Sequence, residues 1–124
     1  MTTPAEAKAV LSRWYDEMWS QKNFALVPEI AGPVYTRHEA NGTRHVTAEE
    51  YRDALAGSLS DAVVEDMRYR LIAEDDRVVA IGTWKIDGQQ WDWVQAFRVE
   101  GGKLVETWVS GINFNGAWGP EVLH

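Results

Sequence analysis

QQWDWVQAFRVEGGKLVETWV, residues 89–109, is the stretch on which the fold turns. Two runs of alternating residues flank Gly101-Gly102, a pair that supplies the positive backbone angles a tight hairpin requires. Alternation sends Trp91, Trp93, Gln95, Phe97 and Val99 to one side of the first run, and Asp92, Val94, Ala96 and Arg98 to the other. In the second run, Leu104, Glu106, Trp108, Ser110 and Ile112 oppose Val105, Thr107, Val109 and Gly111. The ring-rich side is expected to meet the rest of the chain.

Towards the N-terminus the same period of two holds back to Val63. Glu74-Asp75-Asp76 and Asp87-Gly88 divide the segment, so four strands are predicted: Val63 to Ala73, Arg77 to Ile86, Gln89 to Glu100 and Lys103 to Phe114. They form an antiparallel meander. Before Val63 the period is helical. Thr3-Pro4-Ala5-Glu6 is a capping box with proline at the first helical position, followed by Ala7, Val10, Leu11, Trp14, Tyr15 and Met18 on one stripe. A helix over 4–20 follows. Gln21-Lys22-Asn23 breaks it, Phe24 to Ile30 forms a short second helix ended by Gly32-Pro33, and Val34 to Ala40 forms a short strand running into Asn41-Gly42. A second capping box, Thr47-Ala48-Glu49-Glu50, opens a third helix with Tyr51, Ala54, Leu55 and Leu59 on one face. The expected fold is α+β, one domain over residues 1–124: three N-terminal helices packed on a curved sheet.

Composition narrows the function classes. The 124 residues carry 12 Lys plus Arg against 19 Asp plus Glu, a formal net charge of −7, which disfavours a nucleic-acid backbone as partner. There is no cysteine, which excludes disulfides, thiolate metal sites and cysteine nucleophiles. No stretch has the length or apolarity of a membrane span or the pattern of a secretory signal, so no membrane partner and a cytoplasmic location are expected. Asn41-Gly42-Thr43 matches a glycosylation sequon and is read as a turn. Phosphate-binding loops, dinucleotide fingerprints, zincin and α/β-hydrolase motifs are absent, so no cofactor is expected; His38 and His45, with Glu39, lack a metal-ligand spacing, and no metal is expected.

Seven tryptophans, four tyrosines and three phenylalanines suit the walls of an apolar hollow, and three polar residues fall among them: Tyr15, His38 and Gln95. Each also has a plain structural reading, as a core phenol with its hydroxyl satisfied, a loop-edge imidazole and a buried amide. Together they suit a small-molecule site, with Trp14, Trp19, Trp84, Trp93, Trp108, Met67, Tyr69 and Ser110 as substrate-binding walls. The opposite sheet face, with Val94, Ala96, Val105 and Val109, is apolar enough to predict a homodimer through it.

Three segments carry a resemblance. Tyr35-Thr36-Arg37-His38-Glu39, Thr47-Ala48-Glu49-Glu50-Tyr51 and Gly102-Lys103-Leu104-Val105-Glu106-Thr107-Trp108 resemble the SnoaL-like polyketide cyclases, within the cone-shaped superfamily named for nuclear transport factor two. The likeness spans essentially the whole chain. It implies a closed hollow and, by similarity to ketosteroid isomerase of the same superfamily, a base at His38 facing oxyanion donors at Tyr15 and Gln95. Imidazole suits proton abstraction near neutrality, and a carboxamide donates without needing to stay protonated. Two patterns are missing. The acidic residues that follow the last-strand Trp in such cyclases are here Val109, Ser110, Gly111 and Ile112. The Asp-Arg-Asp set of epoxide hydrolases is here Thr83, Lys85 and Ser110.

The resemblance therefore implies an enzyme that needs no cofactor and isomerises or cyclises a hydrophobic, ring-containing carbonyl compound. Three alternatives stay open: a binding protein for an aromatic or polycyclic ligand, a dehydratase using His38 with Glu106, and a structural domain whose cone is filled solid by its rings.

Overall fold

The computed structural model describes residues 1–109, Trp118 and Leu123. The chain begins with α1, Pro4–Arg13, capped by Thr3, whose hydroxyl accepts from the Glu6 backbone N–H at 3.2 Å. The predicted helix reaches to Trp19, but its last six residues, Trp14–Trp19, widen into a π-helix. That turn contains Trp14, Tyr15 and Met18, all buried. A 3-10 turn, Phe24–Leu26, leads into α2, Val27–Ile30.

Strand β1, Ala31–Glu39, is longer than expected and pairs with β2, Gly42–Thr47, which sequence reading does not anticipate. Every residue of β2 except Val46 is exposed, so no apolar alternation marks it. Helix α3, Ala48–Leu59, opens on the predicted capping box: Glu50 N–H donates to Thr47 Oγ1 at 3.1 Å and Thr47 N–H to Glu50 Oε1 at 2.8 Å. The meander follows as β3 Val64–Glu74, β4 Arg77–Ile86, β5 Gln89–Glu100 and β6 Lys103–Val109. The predicted continuation of the last strand to Phe114, with Ser110, lies outside the described residues.

The strand order is β2-β1-β6-β5-β4-β3. All neighbours are antiparallel except β1 and β6, which run parallel. The helices cover one face, where Ala7, Leu11, Tyr15, Met18, Tyr35, Val78, Ala80, Phe97, Val99 and Leu104 make the core.

The face assignment of β6 needs correcting. Val99 stands opposite Leu104, but the register shifts between Arg98 and Val99, and Arg98 stands opposite Glu106. Val105 is the extra residue of a bulge, and one extra residue reverses every side chain beyond it. Thr107 and Val109 therefore share the inner face with Phe97 and Gln95, while Glu106 and Trp108 share the outer face with Arg98 and Ala96. Burial agrees, since Thr107 is fully buried and Trp108 is 37% exposed. Sequence alternation had placed Trp108 inside and Val109 outside.

Candidate functional site

Between the helices and the inner face lies a hollow of about 440 Å³. The π turn contributes Trp14, Tyr15 and Trp19; α3 gives Tyr51 and Leu55; β4 gives Trp84 and Ile86; β5 gives Trp91, Asp92, Trp93 and Gln95; Arg37 and Val109 close it from β1 and β6. Such a volume is within the range of small-molecule sites and, among the described residues, argues against the solid-core alternative. The rings brace one another. Tyr15 stacks on Trp93 at 4.9 Å, Trp14 on Tyr51 at 6.2 Å, and Trp84 tilts against Trp19 at 5.1 Å and Trp93 at 5.3 Å. Rigid aromatic walls of this kind lose little rotamer freedom when a ligand enters.

Among the described residues, four polar atoms near the hollow are buried without a hydrogen-bond partner: Tyr15 Oη, Tyr35 Oη, Arg37 Nη1 and Trp93 Nε1. Buried polar atoms are normally paired, because leaving one unpaired costs roughly 1–3 kcal/mol. All four can donate. Burial pushes the Tyr15 and Tyr35 hydroxyls well above the usual phenol range and raises that of Tyr51, so the phenols stay neutral O–H donors. Gln95 is less free, since its Nε2 donates to Thr107 Oγ1 at 2.8 Å and the Thr107 hydroxyl donates to the Ala96 carbonyl at 2.8 Å. Asp92 supplies the wall's carboxylate among the described residues and accepts from Gln90 Nε2 at 3.1 Å.

Of the residues singled out from sequence, Tyr15, Gln95, Trp14, Trp19, Trp84 and Trp93 come together around the hollow. Met67 and Tyr69 do not line it. They pack against the core behind Tyr15, where the Tyr69 ring lies 5.0 Å from that of Tyr15 and its hydroxyl donates to Asp16 Oδ1 at 2.8 Å. Burial, and then that bond, raise the Tyr69 hydroxyl to about 12.

His38 is the largest departure. In β1, Tyr35 is buried and Arg37 lines the hollow, so Thr36 and His38 alternate to the outer face. There His38 pairs with Trp108, stacks on its ring at 5.3 Å, donates from Nε2 to Glu106 Oε2 at 2.7 Å, and sets Nδ1 2.8 Å from Thr43 Oγ1. Hydrogen bonds from His38 and Arg98 hold the Glu106 carboxyl below its usual range. The imidazole–carboxylate pair imagined for a dehydratase thus exists, but a full sheet thickness separates it from Tyr15. As base for a molecule in the hollow, His38 is misplaced by one residue.

Arg37 is the inward residue that sequence reading missed. The signal was present: Tyr35 is the large ring of that strand, and counting by two from it reaches Arg37. Its Nε donates to Glu39 Oε2 at 3.0 Å, and its guanidinium carbon lies 4.6 Å from the Tyr51 ring centroid. Among the described residues, no group of three His, Asp or Glu side chains is arranged to hold a metal ion, and no helix is long and apolar enough to cross a membrane.

Residues 11–107 match the family model described as SnoaL-like domain. Among solved structures, an NTF2-like protein of unknown function from Cytophaga hutchinsonii is 14% identical, with a TM-score of 0.68 over 89% of this chain and 90% of that one. An epoxide hydrolase of the LEH-like type from M. tuberculosis is 14% identical, with a TM-score of 0.67 over 89% and 83%. A steroid delta-isomerase from Pseudomonas aeruginosa is 20% identical, with a TM-score of 0.64 over 86% and 80%. At these identities the likeness is one of fold. No curated protein sequence matches the chain.

Proposed function

Because the chain belongs to the SnoaL-like domain family, we propose that it is an isomerase- or cyclase-type enzyme, needing no cofactor, for a hydrophobic ring-containing carbonyl compound. The observation that carries this reading is the set of unpartnered donors in an aromatic hollow. A carbonyl oxygen that reaches one of these donors, Tyr15 Oη, Arg37 Nη1 or Trp93 Nε1, takes up a hydrogen bond the protein leaves unmade. Transfer of a proton from the neighbouring carbon to the Asp92 carboxylate in the wall turns that oxygen into an enolate, and donors fixed in a dry site stabilise the enolate more than the ketone. Return of the proton at another carbon is isomerisation; attack of the enolate carbon on a second carbonyl is aldol-type cyclisation.

A second reading has its own observation. Among the described residues, the wall contains no imidazole, and its carboxylate is hydrogen bonded to Gln90. A site rich in donors whose carboxylate is already hydrogen bonded suits a protein that binds its ligand without turning it over. Deuterium exchange separates the two. Incubated with 2-tetralone in D2O, the protein is expected to accelerate loss of the proton NMR signals next to the carbonyl. Ligand-induced quenching of tryptophan fluorescence with no such acceleration favours the binding protein.

We also propose a homodimer through the outer sheet face. Cross-strand register sets Ile72, Val79, Ala96 and Trp108 in one row across it, with Ile72 51% exposed. An apolar row of this kind costs less when covered. Sedimentation is expected to return twice the chain mass, and Ile72→Lys to return the monomer. A monomeric wild-type protein would refute the proposal.

A further inference from the structure

Among the described residues, the charges beside the hollow leave a cation unspent. Arg37 Nε donates to Glu39 Oε2, while Glu39 also accepts from Arg44 Nε at 2.6 Å and Arg44 Nη2 at 3.1 Å. Two guanidiniums share one carboxylate, so this cluster keeps one net positive charge, in a chain whose formal net charge is −7. The two arginines are not equivalent. The Arg44 side chain is 59% exposed and solvated; that of Arg37 is 11% exposed, lies against Tyr51 and Tyr35, and has Nη1 buried without a partner.

Arginine holds its proton in any protein environment and offers only donors, so it cannot escape burial by neutralising itself. Trp93 Nε1, also a pure donor, is buried and unpartnered in the same wall, as is the Tyr15 hydroxyl. A neutral ketone brings one uncharged acceptor to this set. A planar anion with delocalised oxygens brings charge as well, and charge-assisted hydrogen bonds are roughly twice as strong as neutral ones.

We propose that the hollow selects an acidic ring compound, one carrying a carboxylate or an ionised enol, with Arg37 as its counter-ion. This rests on the reading of the hollow as a ligand site and deepens it by naming the substrate class. Arg37 is then a specificity-determining residue: it fixes which end of the ligand enters deepest and holds the oxygen on which enolate charge gathers.

The test is calorimetric titration of the full chain near neutral pH with three probes: 1-naphthoate, 2-hydroxy-1,4-naphthoquinone, whose enol is ionised there, and neutral 1-acetonaphthone. At least one anion is expected to bind on the order of tenfold more tightly than the ketone, and the tighter of the two identifies the carboxylate or the enol as the preferred group. Arg37→Met is expected to bring that ratio to about one, the anion losing more affinity than the ketone. Arg37→Lys, which retains the charge without the fork, keeps part of the ratio and serves if the Met variant does not fold. A wild-type protein that binds the ketone as tightly as both anions overturns the inference alone. So does a ratio that survives Arg37→Met. Binding of none of the three overturns both the inference and the ligand-site reading beneath it.

Discussion

Gly82→Ala is expected to destabilise the protein by about 1–3 kcal/mol, the usual range for overpacking. For a domain of this size that is a Tm drop on the order of 5–10 °C. Gly82 stands opposite Trp93 across the β4–β5 ladder, and the indole lies flat on it. A Cβ at this position would sit 2.2 Å from Trp93 Cζ2 and 2.4 Å from Cη2, too close for any contact to survive unchanged. The indole cannot slide away freely, because Tyr15 stacks on it and Trp84 abuts it. The strain therefore passes into the hollow's wall, and affinity for aromatic probes falls with stability. Shrinking the ring supplies the control: Gly82→Ala combined with Trp93→Leu should recover much of the lost Tm, since the two substitutions touch and so do not add. An unchanged Tm for Gly82→Ala alone would show that the ring does not rest there.

Tyr15→Phe is expected to move stability and turnover in opposite directions. The hydroxyl is buried, unpartnered and neutral. Deleting it removes an unsatisfied polar atom without leaving a partner stranded, so Tm should hold or rise. If that hydroxyl donates to the developing enolate, exchange of the 2-tetralone protons should slow on the order of a hundredfold or more, the loss typical of one oxyanion donor. Tyr69→Phe is the matched control, because its hydroxyl bonds Asp16 away from the hollow. Equal exchange rates for Tyr15→Phe and wild type would remove Tyr15 from the chemistry. Such opposition between stability and activity is common where a site holds polar groups in readiness for a ligand.

Most of the architecture is legible in local chemistry. Thr3-Pro4-Ala5-Glu6 and Thr47-Ala48-Glu49-Glu50 announce their helices because capping is decided within four residues, and the three hairpin turns of the meander are equally local. The π turn is not legible, since Trp14–Trp19 has the spacing of an ordinary helix and widens only where its rings pack. Nor is β2, whose residues face solvent and owe their extended shape to pairing with β1.

The site was half legible for the same reason. Tyr15, Trp14, Trp84 and Trp93 are large apolar groups whose burial follows from pattern alone. His38 and Trp108 failed on parity. A one-residue bulge at Val105 reverses the far end of β6 and turns Trp108 outward, whereas His38 is set outward within β1 itself, by counting from the buried Tyr35. Bulges depend on how two strands meet, which neither strand encodes by itself.

The parallel contact between β1 and β6 also governs the order in which the molecule can assemble. The His38–Glu106 bond joins residues 68 apart, whereas the meander strands need only short hairpins. Closing so long a loop costs entropy before any contact offsets it. The three meander hairpins can therefore zip early, leaving β1 and β2 to dock last against an existing edge. During synthesis the β1–β2 hairpin emerges well before its mate β6, and the β1 edge that β6 will cover waits unpaired until then.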